Sequence, residues 1–251
     1  MLLPNLTQGP PDKDMPLASH LQELRRCILK SLASLLTGSA VSLFFIQDIV
    51  RLLTSAAGKL YYMKPAEAFV IYMKLTIFCG LILALPFILQ QIYRFISPAL
   101  TSRERQFLLL ALPVMLLLGG GGMVFAYLFV FPRGLYFFLS FAGDKITPLL
   151  SLESYLSFLL MLTAPFAFIF NIPIGILFLG RCGIISTAAL THYRKHVILA
   201  SFILAAVITP TPDIITQCLL AVPMAVLYEI SIIFLKCFAK GGPEHEQTQF
   251  S

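Results

Sequence analysis

QQIYRFISPALTSRER (Gln90–Arg105) lies between two charge-free apolar runs, Leu75–Tyr93 and Gln106–Pro132. A transmembrane helix needs about 20 apolar residues. Both runs are long enough to cross a bilayer, so the stretch between them is a short connector on one membrane face. It carries Arg94, Arg103 and Arg105, and one carboxylate, Glu104, directly after a Ser97-Pro98 break. A carboxylate fixed at the headgroup level is a candidate acceptor for cationic segments. The plainer alternative is a solvated basic loop in which Glu104 only neutralises Arg103 and Arg105.

The rest of the chain has the same character. Of its 251 residues 58% are hydrophobic and 12% charged, where soluble domains carry about 25% charged residues. The mean hydropathy is +0.87. This composition marks an integral membrane protein. The net charge of +6 is read through its distribution along the chain, because no basic face interleaves with stacking aromatics as nucleic-acid binding requires. Cys27, Cys79, Cys182, Cys218 and Cys237 form no CxxC and have no His at metal-ligand spacing. They read as free thiols filling apolar positions. Residues 1–19 contain one Lys and no Arg, so no cleavable targeting segment is expected.

Residues 1–13 are proline-rich and polar and predict a disordered lead. A helix is expected from Asp14, which caps free N–H groups, with Pro16 in its first turn. Leu17, Leu21, Leu24 and Ile28 then recur at helical spacing, while His20, Gln22, Glu23, Arg25 and Arg26 take other faces. This is an amphipathic helix leading into the bilayer. A first span follows at Ser31–Gln47, rich in small residues that suit close helix packing in lipid. A loop is expected at 48–66. A second span at Glu67–Tyr93 is kinked at Pro86, and a third covers Gln106–Pro132. The run Gly119–Gly122 is followed by no Gly-Lys-Ser/Thr, so it allows a bend or a close helix contact and cradles no phosphate. A loop is expected at Arg133–Leu152, and a fourth span at Glu153–Gly180 is broken by Pro165 and Pro173. Val197–Thr209 and Ile214–Leu235, around a proline turn, read either as short fifth and sixth helices that thin the bilayer or as a re-entrant pair. Residues 14–236 then form a single six-span membrane domain, and 237–251 a flexible tail.

With the N-terminus inside, twelve Lys and Arg fall on the inner segments. Six fall outside: Arg51, Lys59, Lys64, Lys74, Arg133 and Lys145. The bias places both termini in the cytoplasm.

Glu23 and Glu104 are the only inner-face carboxylates outside the chain ends. Each can accept an arginine from an inserting peptide; the modest alternative for Glu23 is an i,i+3 contact with Arg26. An Arg–carboxylate pair at 4 Å has a Coulomb attraction of about 4 kcal/mol at an effective dielectric of 20, but nets about 0–1 kcal/mol in full solvent. A receptor therefore needs the partial desolvation of the headgroup region. Polar residues inside the membrane are costly and are functional suspects. Asn171 is one; the other reading is a packing hydrogen bond, or relief of a carbonyl freed by Pro173. Glu229 either snorkels to the inner surface or pairs with a basic residue, and Asp213 is placed to cap the last helix. No Gly-x-Ser-x-Gly, His-Glu-x-x-His or intramembrane Asp pair is present, so an enzyme is not expected, nor is a cofactor or metal. A small-solute secondary transporter is the competing class, but paired half-repeats with broken helices are not evident.

Several stretches together resemble one family. They are MPLASHLQELRR (Met15–Arg26), KPAEAFVIYMKL (Lys64–Leu75), LALPFILQQIYRFISPALTSRER (Leu83–Arg105) and SYLSF (Ser154–Phe158). FIFNIP (Phe168–Pro173), HYRKH (His192–His196), VITPTPD (Val207–Asp213) and YEI (Tyr228–Ile230) follow in order. The chain resembles TatC, the multispanning subunit of the twin-arginine protein translocase, over residues 15–236. The resemblance implies an all-α integral membrane fold of six helices in a concave, glove-shaped bundle with short fifth and sixth helices. It implies a receptor for twin-arginine signal peptides of folded cargo, with Glu23 and Glu104 accepting arginines and Leu21, Arg25, Phe95, Pro98 and Leu100 shaping the site. It further implies single-span TatA- and TatB-type partners contacting Pro65, Asn171, Asp213 and Glu229. Self-association, a drive from the proton-motive force and a bacterial inner membrane, rather than a thylakoid, complete the expectation. The family often carries Glu or Gln where this chain has Asn171, which keeps hydrogen bonding but cannot ionise.

Overall fold

The computed structural model describes residues 17–55, 57, 59–140, 149–209 and 213–239. The expected disordered lead, the Asp14 cap, the Asp144-Lys145 loop, most of the proline turn and the tail beyond Ala239 lie outside them. Among the described residues the fold is helical, with one isolated parallel bridge between Tyr61 and Ser151.

Helix α1 (Leu17–Thr54) is 38 residues long. It joins the amphipathic segment to the first span and continues through Asp48, where a loop is expected. Asp48 and Arg51 sit one turn apart at 3.7 Å with both side chains solvated. Charges disposed this way ride on a helix surface without ending it. Helix α2 (Pro65–Ile96) starts on a proline, whose missing N–H costs nothing there. Pro86 lies inside it without interrupting it. A 3₁₀ turn (Ser97–Ala99) leads to α3 (Ser102–Phe125), a π-helical stretch at Ala126–Val130, and α4 (Phe131–Ser140). The third span therefore passes Pro132, where its end is expected, and reaches Ser140. The wide turn just before Pro132 absorbs the ring and the missing donor that would break a regular helix.

Helix α5 (Leu152–Ile169) breaks at Phe170-Asn171 and resumes as α6 (Ile172–Arg181). Two shorter helices follow, α7 (Thr187–His192) and α8 (Arg194–Ile208), and then α9 (Ile214–Ala239). Among the described residues five helical stretches are long and apolar enough to cross a membrane: His20–Thr54, Pro65–Ala99, Ser102–Ser140, Leu152–Arg181 and Ile214–Cys237. With its 15 residues α8 falls short, covering about 22 Å. The expected short sixth helix is corrected, since α9 has 26 residues. Glu229 does not end its apolar run, because an ion pair with Arg194 holds the charge at 3.1 Å.

Helix α5 is the hub, with Leu156, Leu159, Leu162 and Phe166 buried against the neighbouring helices. Glycines let two helix pairs approach backbone to backbone. A Cβ on Gly38 of α1 would lie 2.5 Å from the Gly80 carbonyl of α2. One turn on, the buried Ser42 hydroxyl donates to the Thr76 carbonyl at 2.9 Å. In the tetraglycine run, Gly119 and Gly122 face α5, while Gly120 and Gly121 face open space. The run is a close contact. At the other end of the bundle, Tyr61 N–H donates to the Leu150 carbonyl (3.0 Å) and Leu152 N–H to the Tyr61 carbonyl (2.8 Å). Buried Glu67 accepts from Met63 N–H (3.1 Å) and the Ser151 hydroxyl (3.3 Å), tying the two connectors together.

Candidate functional site

The N-terminal half of α1 lies against the C-terminal end of α2. His20 stacks on Phe95 with ring centroids 4.5 Å apart. Below this stack Glu23, Arg26, Cys27 and Lys30 of α1 face Gln91, Arg94 and Phe95 of α2 across a polar hollow of about 150 Å³. Both sets follow i,i+3,i+4 spacing, so each comes from one helix face. Glu23 makes no ion pair with Arg26 among the described residues, and its Oε2 is buried without a hydrogen-bond partner. An unsatisfied buried acceptor costs about 1–3 kcal/mol. It is an open valence that an incoming donor can fill. Leu21 is 64% exposed beside this region, and Arg25 is also exposed.

Glu104 is placed differently. It forms a capping box at the start of α3: its Oε2 accepts from Thr101 N–H at 2.8 Å, and its own N–H donates to Thr101 Oγ1 at 3.5 Å. Neither Arg103 nor Arg105 is ion-paired to it; Arg105 Nε donates to Tyr93 Oη at 3.3 Å. The connector thus holds no close ion pair between Glu104 and its neighbouring arginines, and the carboxylate is positioned by the backbone. Across from it lies Cys182 at the end of α6. Burial pushes the Cys182 thiol up, and the Glu104 carboxylate beside it, to which it is hydrogen-bonded, pushes it further. Arg181 lies over the Phe107 ring at 4.3 Å. Pro98 is exposed in the 3₁₀ turn, and Leu100, half-buried, closes it by donating to the Ser97 carbonyl.

Glu23 and Phe95 thus share one hollow, which Glu104 does not line. Sequence reading missed Gln91, Arg94, Cys27 and Lys30, although the spacing of 91, 94 and 95 carries the signal. It also missed His20 as the ring on Phe95, and Cys182.

The other four candidates are scattered. Pro65 opens α2 and is exposed. Asn171 sits in the α5–α6 break. Its N–H bonds Phe168, which frees the Ala167 carbonyl, and its own Nδ2 donates to that carbonyl at 2.7 Å. The carbonyl it relieves is thus the one freed by the break itself. Its Oδ1 is buried without a partner, in an apolar hollow of about 190 Å³ between α2, α3 and α5. Asp213 Oδ1 accepts from Thr216 N–H at 2.7 Å and caps α9, as expected. Of its two expected placements, Glu229 takes the ion pair, with Arg194. All five cysteines are free thiols. Among the described residues no group of His, Cys, Asp and Glu could hold a metal ion.

Comparison with known proteins identifies the family. Residues 19–223 match the family model of the Sec-independent protein translocase protein TatC. A TatC from Carboxydothermus hydrogenoformans is 38% identical over 229 residues, covering 90% of this chain and 94% of that one. The Aquifex aeolicus TatC is 36% identical over 242 residues, covering 93% and 100%. A crystal structure of the twin-arginine translocase receptor TatC superposes with a TM-score of 0.78 at 36% identity, over 88% of this chain and 99% of that one. The shared spans, connectors and sequence place the chain in the TatC family of protein-translocase components, which are multispanning membrane proteins and not enzymes.

Proposed function

We propose that this chain is the signal-peptide receptor and core subunit of a twin-arginine translocase. The observation that carries the reading is the pairing of α1 with the end of α2, which sets a partner-free carboxylate oxygen of Glu23 beside Phe95 at the bilayer surface. A guanidinium supplies planar, paired N–H donors that a carboxylate accepts in charge-assisted bonds. Glu104, fixed by its capping box, is the second acceptor. Leu21, Arg25, Pro98 and Leu100 flank the path between them.

On this reading residues 14–236 form one six-span domain, with α8 as a short fifth crossing and a concave face for partners. Both termini are cytoplasmic, as the distribution of basic residues favours. The membrane is a bacterial inner membrane. Single-span TatA- and TatB-type helices dock near Pro65, Asn171, Asp213 and Glu229, copies of the chain associate, and the proton-motive force drives export.

The test is photocrosslinking of a twin-arginine signal peptide from a probe at Phe95. Crosslinking should be lost with a Lys-Lys peptide and with Glu23→Ala/Glu104→Ala. Equal crosslinking of all variants would leave only a generic hydrophobic contact and overturn the reading.

A further inference from the structure

The hollow between α1 and α2 carries more positive charge than a guanidinium receptor needs. Arg26, Lys30 and Arg94 line it with Gln91, against one carboxylate, Glu23. All three cations are exposed, and among the described residues none has an ion-pair partner. Cations left unneutralised around a shared space repel one another, and the arrangement is favourable once an anion sits among them.

The surroundings say which anion. The hollow lies along the amphipathic part of α1, the segment whose sequence pattern leads into the bilayer. On the same two helices Leu24, Ile28 and Ile92 are 37%, 57% and 42% exposed. Charged groups at headgroup depth, flanked by apolar side chains that remain uncovered, match a molecule with an anionic head and hydrocarbon tails. Basic pockets between helices on the cytoplasmic side suit acidic lipid headgroups, and a hollow of about 150 Å³ has room for a phosphodiester.

We infer that this hollow is a binding site for one anionic phospholipid, its phosphodiester held by Arg26, Lys30, Arg94 and the Gln91 amide and its acyl chains lying along Leu24, Ile28 and Ile92. The site does not depend on the receptor reading. If that reading holds, the lipid phosphate also screens the three cations that would otherwise repel a guanidinium approaching Glu23.

The test is native mass spectrometry of the purified full chain in detergent, titrated with phosphatidylglycerol or phosphatidylcholine. Phosphatidylglycerol should bind more tightly, and Lys30→Gln/Arg94→Gln should weaken its first binding step about tenfold. Arg103→Gln/Lys195→Gln removes the same charge elsewhere on the inner connectors and should leave that step unchanged. Equal loss in both double variants, or equal binding of the two lipids, overturns the site. Displacement of phosphatidylglycerol by millimolar inorganic phosphate would make it a site for soluble anions and overturn the lipid assignment. Peptide crosslinking is a separate readout, so failure of one proposal is distinguishable from failure of the other.

Discussion

Two side chains show how one polar atom left over becomes informative. Asn171 spends its amide N–H on the Ala167 carbonyl and keeps a buried Oδ1 with no partner in an otherwise apolar hollow. Only an acceptor is on offer there, because asparagine cannot ionise or donate from that oxygen. Asn171→Leu should therefore weaken co-purification of a TatA-type partner while leaving signal-peptide binding intact. Unchanged co-purification would remove Asn171 from the partner surface. Glu104 is the opposite case. Its Oε2 is already bonded to Thr101 N–H, so on the proposed receptor reading its carboxylate is held in place beforehand and would lose little freedom on binding a peptide.

Among the helices, contact geometry is set by which glycines face a neighbour. A Cβ on Gly122 would strike the Phe166 carbonyl and lie 2.8 Å from Phe170 Cγ, whereas one on Gly121 meets nothing within 4 Å. Gly122→Ala should destabilise the bundle by about 1–3 kcal/mol through overpacking. Gly121→Ala should be neutral or mildly stabilising, since alanine is the better helix former by about 1 kcal/mol. Thermal unfolding midpoints in detergent compare the two, and equal effects would refute the close α3–α5 contact. The π-helical stretch before Pro132 and the break at Phe170-Asn171 are places where a span departs from regular helix in its interior. A proline lies within two residues of each, Pro132 and Pro173, although Pro86 shows that a proline alone does not interrupt a helix here.

For the molecule as a whole, the basic-residue bias favours a cytoplasmic C-terminal end, and exposed Cys237 can test that orientation. In right-side-out vesicles a membrane-impermeant maleimide should leave Cys237 unlabelled until the membrane is permeabilised, with Cys237→Ser as control. Labelling without permeabilisation would invert the topology. The sequence by itself determined the membrane class, the long apolar spans and the family, because hydropathy and ordered motifs are local properties that survive without contacts. It also marked Glu23, Glu104 and Asn171, since charge and polarity stand out against an apolar background. Helix ends were less legible: Asp48 and Pro132 look like terminators, yet solvation and a widened turn let each helix continue. Only the tertiary structure decided that Glu23, Arg26 and Lys30 share a hollow with Gln91 and Arg94, about 60 residues further along the chain. It alone set His20 on Phe95 and Cys182 beside Glu104. The first two meetings depend on how α1 crosses α2, which the Gly38–Gly80 approach sets, the last on how the end of α6 meets the start of α3, and no local pattern in the chain encodes either.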